Sequence, residues 1–377
     1  MRKISRYILT LILLTRSANM ACYHPLLGIP YPASHPKYGQ YRIVGKATDS
    51  HILEYATDPA TGQYLEGVRI PCGRCVGCRL DKSREWATRL QCEALDYPET
   101  SNWFVTLTYA QPDDNLDLPS YGRYASVNAD GALTLNKQHP TDWLKRLREH
   151  HARKVSYDYD VPTYYDSRTD KVRPLGIRYF LAGEYGDRTM RPHYHAIMLN
   201  CPLPDIRQIG RNKLGMPLYT SDLLTETWGY GHVTIGRMTW QTAAYVARYT
   251  LKKVNGQTEQ LYEQLGLTPE YTVMSRMPGI GHEYLLRHSD DIYKDDEVIL
   301  PAISKDKPNV QRPPKYFDRV YQEIDPKTVA KVKSRRAEVA QIMQSEKLAN
   351  TDLDEAAYLT LAEKATSERV KKLIRDL

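Results

Sequence analysis

The stretch GEYGDRTMRPHYHAIMLN, Gly183–Asn200, decides how the rest of the chain is read. It continues Ile177–Ala182 (IRYFLA), a run rich in β-formers, and after the turn-rich GDRTMRP the residues His193–Leu199 alternate again. The pattern predicts a hairpin of two strands. Alternate side chains of a strand share a face, so His193 and His195 point one way and Tyr194 the other. Glu184 closes the incoming strand, and the turn brings its carboxylate across from the imidazoles. An N/N/O set with open positions suits Mg²⁺ or Mn²⁺ acting on a phosphate better than a closed structural zinc site. Two half-buried strand histidines with ordinary partners would show the same spacing.

Further along, AAYVARYTLKK (243–253) predicts an amphipathic helix in which Tyr245 and Tyr249 stand one turn apart, with Arg248, Lys252 and Lys253 alongside. Thr239 is a good N-cap for it, and the helix is expected to run to about Val254. Between the hairpin and this helix, CPLPDIRQIGRNKLGMPLY reads as a loop, Ser221–Trp228 as a short helix ended by Gly229 and Gly231, and HVTI (232–235) as a strand. Before the hairpin, WFVTLTY (103–109) is the clearest strand of the chain, dense in aromatic and β-branched residues. The loop AQPDDNLDLPSYGRY follows it. Asp142–Lys154 then predicts a basic helix with Trp143, Leu144 and Leu147 inward, and the polar residues 155–174 read as a loop.

A chain of 377 residues can bury one large core or two domains. Its net charge of +7 favours a polyanionic partner. The aromatic balance is unusual, with 29 Tyr against 3 Phe. Tyrosine offers stacking faces and a polar tip, which suits a nucleic-acid surface; compositional drift of the source genome explains the same bias. The first 19 residues pair a basic start with an apolar run, Tyr7–Leu14, that is too short to span a membrane. They fit a signal peptide by pattern, but read better as an extension upstream of a start at Met20.

The six cysteines are too few for a disulfide framework in a chain of this length, and their clustering argues for a reducing compartment. Cys72, Cys75 and Cys78 form CGRCVGC, and Cys22 is the nearest candidate for the fourth ligand that a structural Zn²⁺ requires. Free thiols in a tight turn would look alike. Around this run, residues 23–40 read as an irregular arm and Tyr41–Ala47 and Val68–Ile70 as strands. Leu80–Asp96 is read as a helix burying Trp86, Leu90 and Leu95. Toward the other end, MSRMPGIG (274–281) is a turn-rich connector and PNVQRPPKYFD (308–318) an extended linker. Residues 326–377 predict two or three exposed helices with a break at Ala349–Asp354. There is no GxxxxGK[ST] phosphate loop, hence no sign of a fused helicase or ATPase.

Taken in order, MACYHPL (20–26), PCGRCVGCRLDKSREWATR (71–89), FVTLTY (104–109), the His-x-His stretch, YVARYTLKK (245–253) and MSRMPGIG resemble the HUH endonucleases that initiate rolling-circle replication. The resemblance is to the replication-initiation proteins of gokushovirus-like microviruses. It implies an α+β fold, a central antiparallel sheet with flanking helices, here carrying a helical C-terminal tail. It implies a segmentation into an extension (1–19), an N-terminal segment with the cysteines (20–100), an endonuclease core (101–255), a connector packing on the core (256–325) and the charged tail (326–377). By resemblance Glu184, His193 and His195 hold Mg²⁺ or Mn²⁺, and Tyr245 and Tyr249 are the nucleophiles that nick single-stranded origin DNA. Arg191, Arg248, Lys252 and Lys253 would contact its phosphates. The expected setting is the cytoplasm of a bacterial host, with a host helicase or polymerase as partner and no membrane. A binding module without catalysis, or a hydrolytic phosphodiesterase, would be the other uses of such residues.

Overall fold

The computed structural model describes residues 22–31, 35–37, 40–47, 62, 67–111, 125–186, 189–248, 256–304 and 307–371. The expected extension with Met20, most of the loop after Tyr109, and Tyr249, Lys252 and Lys253 lie outside the described residues. In chain order the strands are β1 (Leu26–Pro30), β2 (Tyr41–Lys46), β3 (Val68–Ile70), β4 (Trp103–Thr108), β5 (Ser126–Val127), β6 (Leu133–Thr134), β7 (Thr163–Asp166), β8 (Lys171–Pro174), β9 (Arg178–Tyr185), β10 (Pro192–Leu199), β11 (Arg207–Arg211), β12 (Pro217–Thr220), β13 (Val233–Arg237), β14 (Tyr271–Met274), β15 (Val298–Ser304) and β16 (Lys307–Gln311). The helices are α1 (Val76–Ala94), α2 (Gln138–Lys154), α3 (Asp222–Trp228), α4 (Trp240–Arg248), α5 (Gly256–Gln264), α6 (His282–Asp295), α7 (Lys315–Ile324), α8 (Pro326–Ala349) and α9 (Glu355–Lys371).

Two compact units are formed: one by the described residues up to Asp81 and from Lys331 onward, the other by Lys82–Ala330. The larger unit is built on a seven-stranded sheet of order β11-β12-β13-β4-β10-β9-β14 with antiparallel neighbours throughout. The expected α+β class, a central antiparallel sheet with flanking helices, is what the chain forms. β4 and β10 are central because their residues can be buried on both faces, as WFVTLT and PHYHAIML are.

Parity along these strands sorts the core. On one face Tyr194, Val105, Leu107, Leu181 and Ile235 pack with Trp143, Leu144 and Leu147 of α2 and with Leu223, Leu224 and Trp228 of α3. On the other, Phe104, Phe180, Ala182, Ile197 and Leu199 pack with Ala87, Leu90 and Ala94 of α1 and with Ala243 and Val246 of α4. Capping follows the sequence. Ser221 accepts from Leu224 N at the start of α3, and Gly229 ends that helix at φ 69, a left-handed conformation that glycine adopts without a Cβ penalty. Thr239 Oγ1 accepts from Thr242 N while Thr239 N donates to Thr242 Oγ1, a reciprocal cap that starts α4.

Several loop expectations are corrected. Residues 201–219, read as a loop, contribute the hairpin β11–β12 at the sheet edge. β11 is exposed along its whole length, so it carries no hydrophobic alternation to read. Likewise 155–174 holds the hairpin β7–β8, and the arm at 23–40 holds β1, whose Leu27 and Ile29 turn inward. The expected linker at 308–318 pairs as β16 with β15 and then enters α7. Leu95 falls beyond α1 and is exposed, not buried.

Much of the tyrosine content serves the interior. Tyr109, Tyr185, Tyr194, Tyr230 and Tyr271 are buried. A buried phenol needs a hydrogen-bond partner. Tyr109 Oη lies 2.8 Å from both Tyr194 Oη and His139 Nδ1, and Tyr194 Oη donates to Asn136 O at 2.8 Å.

The connector at 274–281 is held by buried charge. Arg178 Nε donates to Glu93 Oε1 at 2.6 Å, Arg178 Nη2 to Pro278 O at 2.8 Å, and Gly281 N to Glu93 Oε2 at 2.6 Å. Beside it, the Arg89 guanidinium lies 4.1 Å from the Trp86 ring centre and 3.9 Å from that of Tyr316, and Nε donates to Ile280 O. Glu93→Ala strands the Arg178 cation in the core and is expected to cost about 3–5 kcal/mol. Urea unfolding followed by tryptophan fluorescence measures it; an unshifted midpoint would show that this pair does not hold the connector.

Candidate active site

The β9–β10 register sets His193 opposite Glu184 and His195 opposite Ala182, while β4 sets Thr106 opposite His195. All of these side chains share the face covered by α1 and α4. Glu184 Oε1 lies 2.8 Å from His193 Nε2 and 2.9 Å from His195 Nε2. The three donor atoms lie within 4.8 Å of one another. Glu184 is the deepest, with its side chain 5% exposed, against 20% for His193. The cluster therefore opens toward solvent on the His193 side.

Each ring is oriented from behind. His193 Nδ1 lies 3.2 Å from the Arg191 carbonyl oxygen, which can only accept, so in the neutral ring Nδ1 carries the proton and the Nε2 lone pair faces the cluster. His195 Nδ1 hydrogen-bonds with Thr106 Oγ1 at 2.9 Å. Burial pushes the Glu184 carboxyl up, but hydrogen bonds from His193 and His195 outweigh it and hold it at about 2. A carboxylate oxygen and two imidazole nitrogens with exposure on one side fit a divalent ion that keeps positions for substrate oxygens.

Tyr245 comes to this cluster from α4. Its ring centre is 5.3 Å from that of His195, edge to face at 82°, and 6.0 Å from that of Phe104. Phe104 in turn stacks on His195 at 5.4 Å and 13°. The Arg248 guanidinium lies 5.6 Å from the Tyr245 ring centre. Ser83 of α1 donates to Ala244 O, tying the helix that carries Tyr245 to its neighbour. Arg191 is present too, though its Nη2 donates to Tyr109 O at 2.8 Å. Sequence reading missed Thr106 and Phe104. The signal was there: in FVTLTY the residues Phe104, Thr106 and Thr108 alternate, and antiparallel pairing puts them on the histidine face.

The cysteines gather elsewhere, in the smaller unit. Sγ atoms of Cys22, Cys72, Cys75 and Cys78 all lie within 4.8 Å of one another. Hydrogen bonds from Cys22 and Cys78 draw the Cys75 thiol down, while the Cys75 contact pushes Cys22 up to about 11.

A family model described as replication-associated protein ORF2 matches residues 102–254, from the start of β4 through the tyrosine helix. The chain belongs to this family of replication-associated proteins. Among its relatives, the replication-associated protein ORF2 of Spiroplasma virus 4 is 34% identical over 362 residues, covering 95% of this chain and 98% of that one. The replication-associated protein VP4 of Bdellovibrio phage phiMH2K is 30% identical over 288 residues, 75% of this chain and 78% of the relative. The replication-associated protein ORF4 of Chlamydia phage 1 is 26% identical over 189 residues, 49% and 38% of the two chains. These are proteins of small single-stranded DNA phages. No solved structure matches the chain. Among the described residues no helix is long and apolar enough to cross a membrane.

Proposed function

We propose that this protein initiates replication of a small single-stranded DNA phage inside the infected bacterium, nicking the origin through Tyr245 and Tyr249 and later rejoining the ends. The observation that carries the reading is the meeting of two sequence-distant elements: Tyr245 on α4 lies against His195, the inner histidine of the Glu184–His193–His195 cluster.

In this reading residues 101–255 form the nicking core, 256–325 a connector packed on it, 20–100 an N-terminal segment and 326–377 a charged tail. Glu184, His193 and His195 hold Mg²⁺ or Mn²⁺, which would polarise a non-bridging oxygen of the scissile phosphate. The tyrosine hydroxyl oxygen attacks phosphorus in line with the 3′ oxygen. The tyrosine O–P bond forms as the P–O3′ bond breaks, and the departing oxygen takes up a proton to become the 3′-OH that primes synthesis. A free phenol has a pKa near 10, so cations beside it favour the attack. Arg248 is such a cation, and Lys252, Lys253 and Arg191 are assigned with it to the DNA backbone. The second tyrosine, one turn away at about 5–6 Å, attacks the regenerated origin while the first still holds the old end. The partner at the fork would be a host helicase or polymerase. Four thiolates stand outside this chemistry.

The test is a nicking assay on circular single-stranded DNA with Mn²⁺ or Mg²⁺, resolved on a denaturing gel. A metal-dependent protein–DNA adduct is expected. Cutting without an adduct would mean hydrolysis, and binding without cutting would leave a DNA-binding protein.

Thr106 is assigned as a positioning residue for His195. Thr106→Val keeps the shape and removes the Nδ1 partner, and Mn²⁺ affinity is expected to fall about 10–100-fold. Isothermal titration calorimetry reads this without any reaction; an unchanged Kd would remove Thr106 from the site.

A further inference from the structure

We infer that Cys22, Cys72, Cys75 and Cys78 hold a structural Zn²⁺ that fastens α9 to the N-terminal segment of the chain. This inference is independent of the nicking reading.

The thiols are not placed for disulfides. Cys72 Sγ and Cys78 Sγ are 4.0 Å apart, whereas a disulfide needs about 2.05 Å. Two thiolates on one tetrahedral zinc, each at about 2.3 Å, stand about 3.8 Å apart. Backbone donors surround the sulfurs as they would stabilise metal-bound thiolates. Cys72 N donates to Cys22 Sγ, Tyr23 N and Cys78 N to Cys75 Sγ, and Arg74 N and Cys75 N to Cys72 Sγ, at 3.2–3.4 Å. An all-sulfur set selects a soft or borderline ion and disfavours Mg²⁺ or Ca²⁺. Four thiolates fill a tetrahedral shell, which marks a structural rather than a catalytic centre.

What the centre fastens is visible around it. Tyr358, Leu359 and Ala362 of α9 pack against the cysteines and Tyr23. Tyr23 Oη lies 2.7 Å from Thr366 Oγ1, His24 Nε2 2.6 Å from Glu363 Oε2, and Arg69 Nη2 donates to Glu355 Oε2 at 2.6 Å. The sheet of this unit, order β2-β1-β3, buries little: Leu27, Ile29 and Ala47 form its cluster among the described residues. So small a core needs a staple, and a zinc that joins residue 22 to the 72–78 turn supplies one.

Metal analysis of the full-length protein by mass spectrometry should find zinc near one per chain, falling to background in Cys22→Ser and Cys75→Ser. In the wild-type protein, a mercurial should release that zinc as the thiols react. Cobalt exchanged into the site should show intense sulfur-to-metal absorption with tetrahedral d–d bands. Chelation should raise hydrogen exchange across 355–371 while β4, β9 and β10 stay protected. Protein free of metal, protein carrying iron, or thiols that titrate in missing pairs would each overturn the zinc. Zinc present with exchange over 355–371 unmoved by its removal would overturn the fastening of α9.

Discussion

Changing Tyr245 and Tyr249 together to phenylalanine should remove the covalent protein–DNA adduct, lowering nicking by about 10⁴-fold or more. Either change alone should leave an adduct, because the remaining hydroxyl sits one turn away on the same helix. The packing supports a mild structural effect at Tyr245. Its ring meets His195 and Phe104 through its edge and carbon framework, which phenylalanine keeps. DNA affinity, measured by fluorescence anisotropy without metal, should therefore change little. The outcome that sinks the assignment is an adduct surviving in the double variant, since a third nucleophile would then do the work.

Loss of His195 should be nearly as severe, for a different reason. This ring gives Nε2 to the cluster, takes Thr106 on Nδ1 and lies between Phe104 and Tyr245. His195→Ala should weaken Mn²⁺ binding by at least about 100-fold, more than the loss of an outer partner costs. Nicking should fall by about 10²–10³-fold, as expected when charge on the reacting phosphate goes uncompensated. Calorimetry and single-turnover cleavage separate the two effects. Unchanged Mn²⁺ binding would move the ion elsewhere. The pH dependence has a defined source. Glu184, held at about 2, stays ionised throughout the working range, so weaker ion binding toward acid must come from protonation of the imidazoles. A Glu184→Gln variant should accordingly bind more weakly at every pH while keeping the same acid limb.

Some of this was legible along the chain. Period-two alternation in HYHAIML fixes the side of the sheet on which each histidine lies, because a strand has only two faces. β-branched and aromatic density marked WFVTLT as a strand, and Thr239 and Ser221 marked helix starts, because capping is a local hydrogen bond. The break between α8 and α9 at 350–354 was visible in the same way, as an interruption of helical spacing by Asn350, Asp352 and Asp354. Exposed hairpins were not legible. β7, β8 and β11 face solvent and pair through backbone groups, which leave no trace in side-chain pattern.

The sequence by itself determined the local facts: which residues alternate, which cap, which cysteines and tyrosines share a short spacing. These depend on backbone geometry within a few residues. Only the tertiary structure decided what meets across the chain. The Glu93–Arg178 pair spans 85 positions, and the Tyr23–Thr366 contact spans 343. The placing of α4 over the histidine face, rather than over the Tyr194 face, is a third such decision. Spacing alone allowed either face. The choice followed from burial, because Ala243 and Val246 of α4 close over Phe104 and Ile197. That packing is what carries Tyr245 to His195.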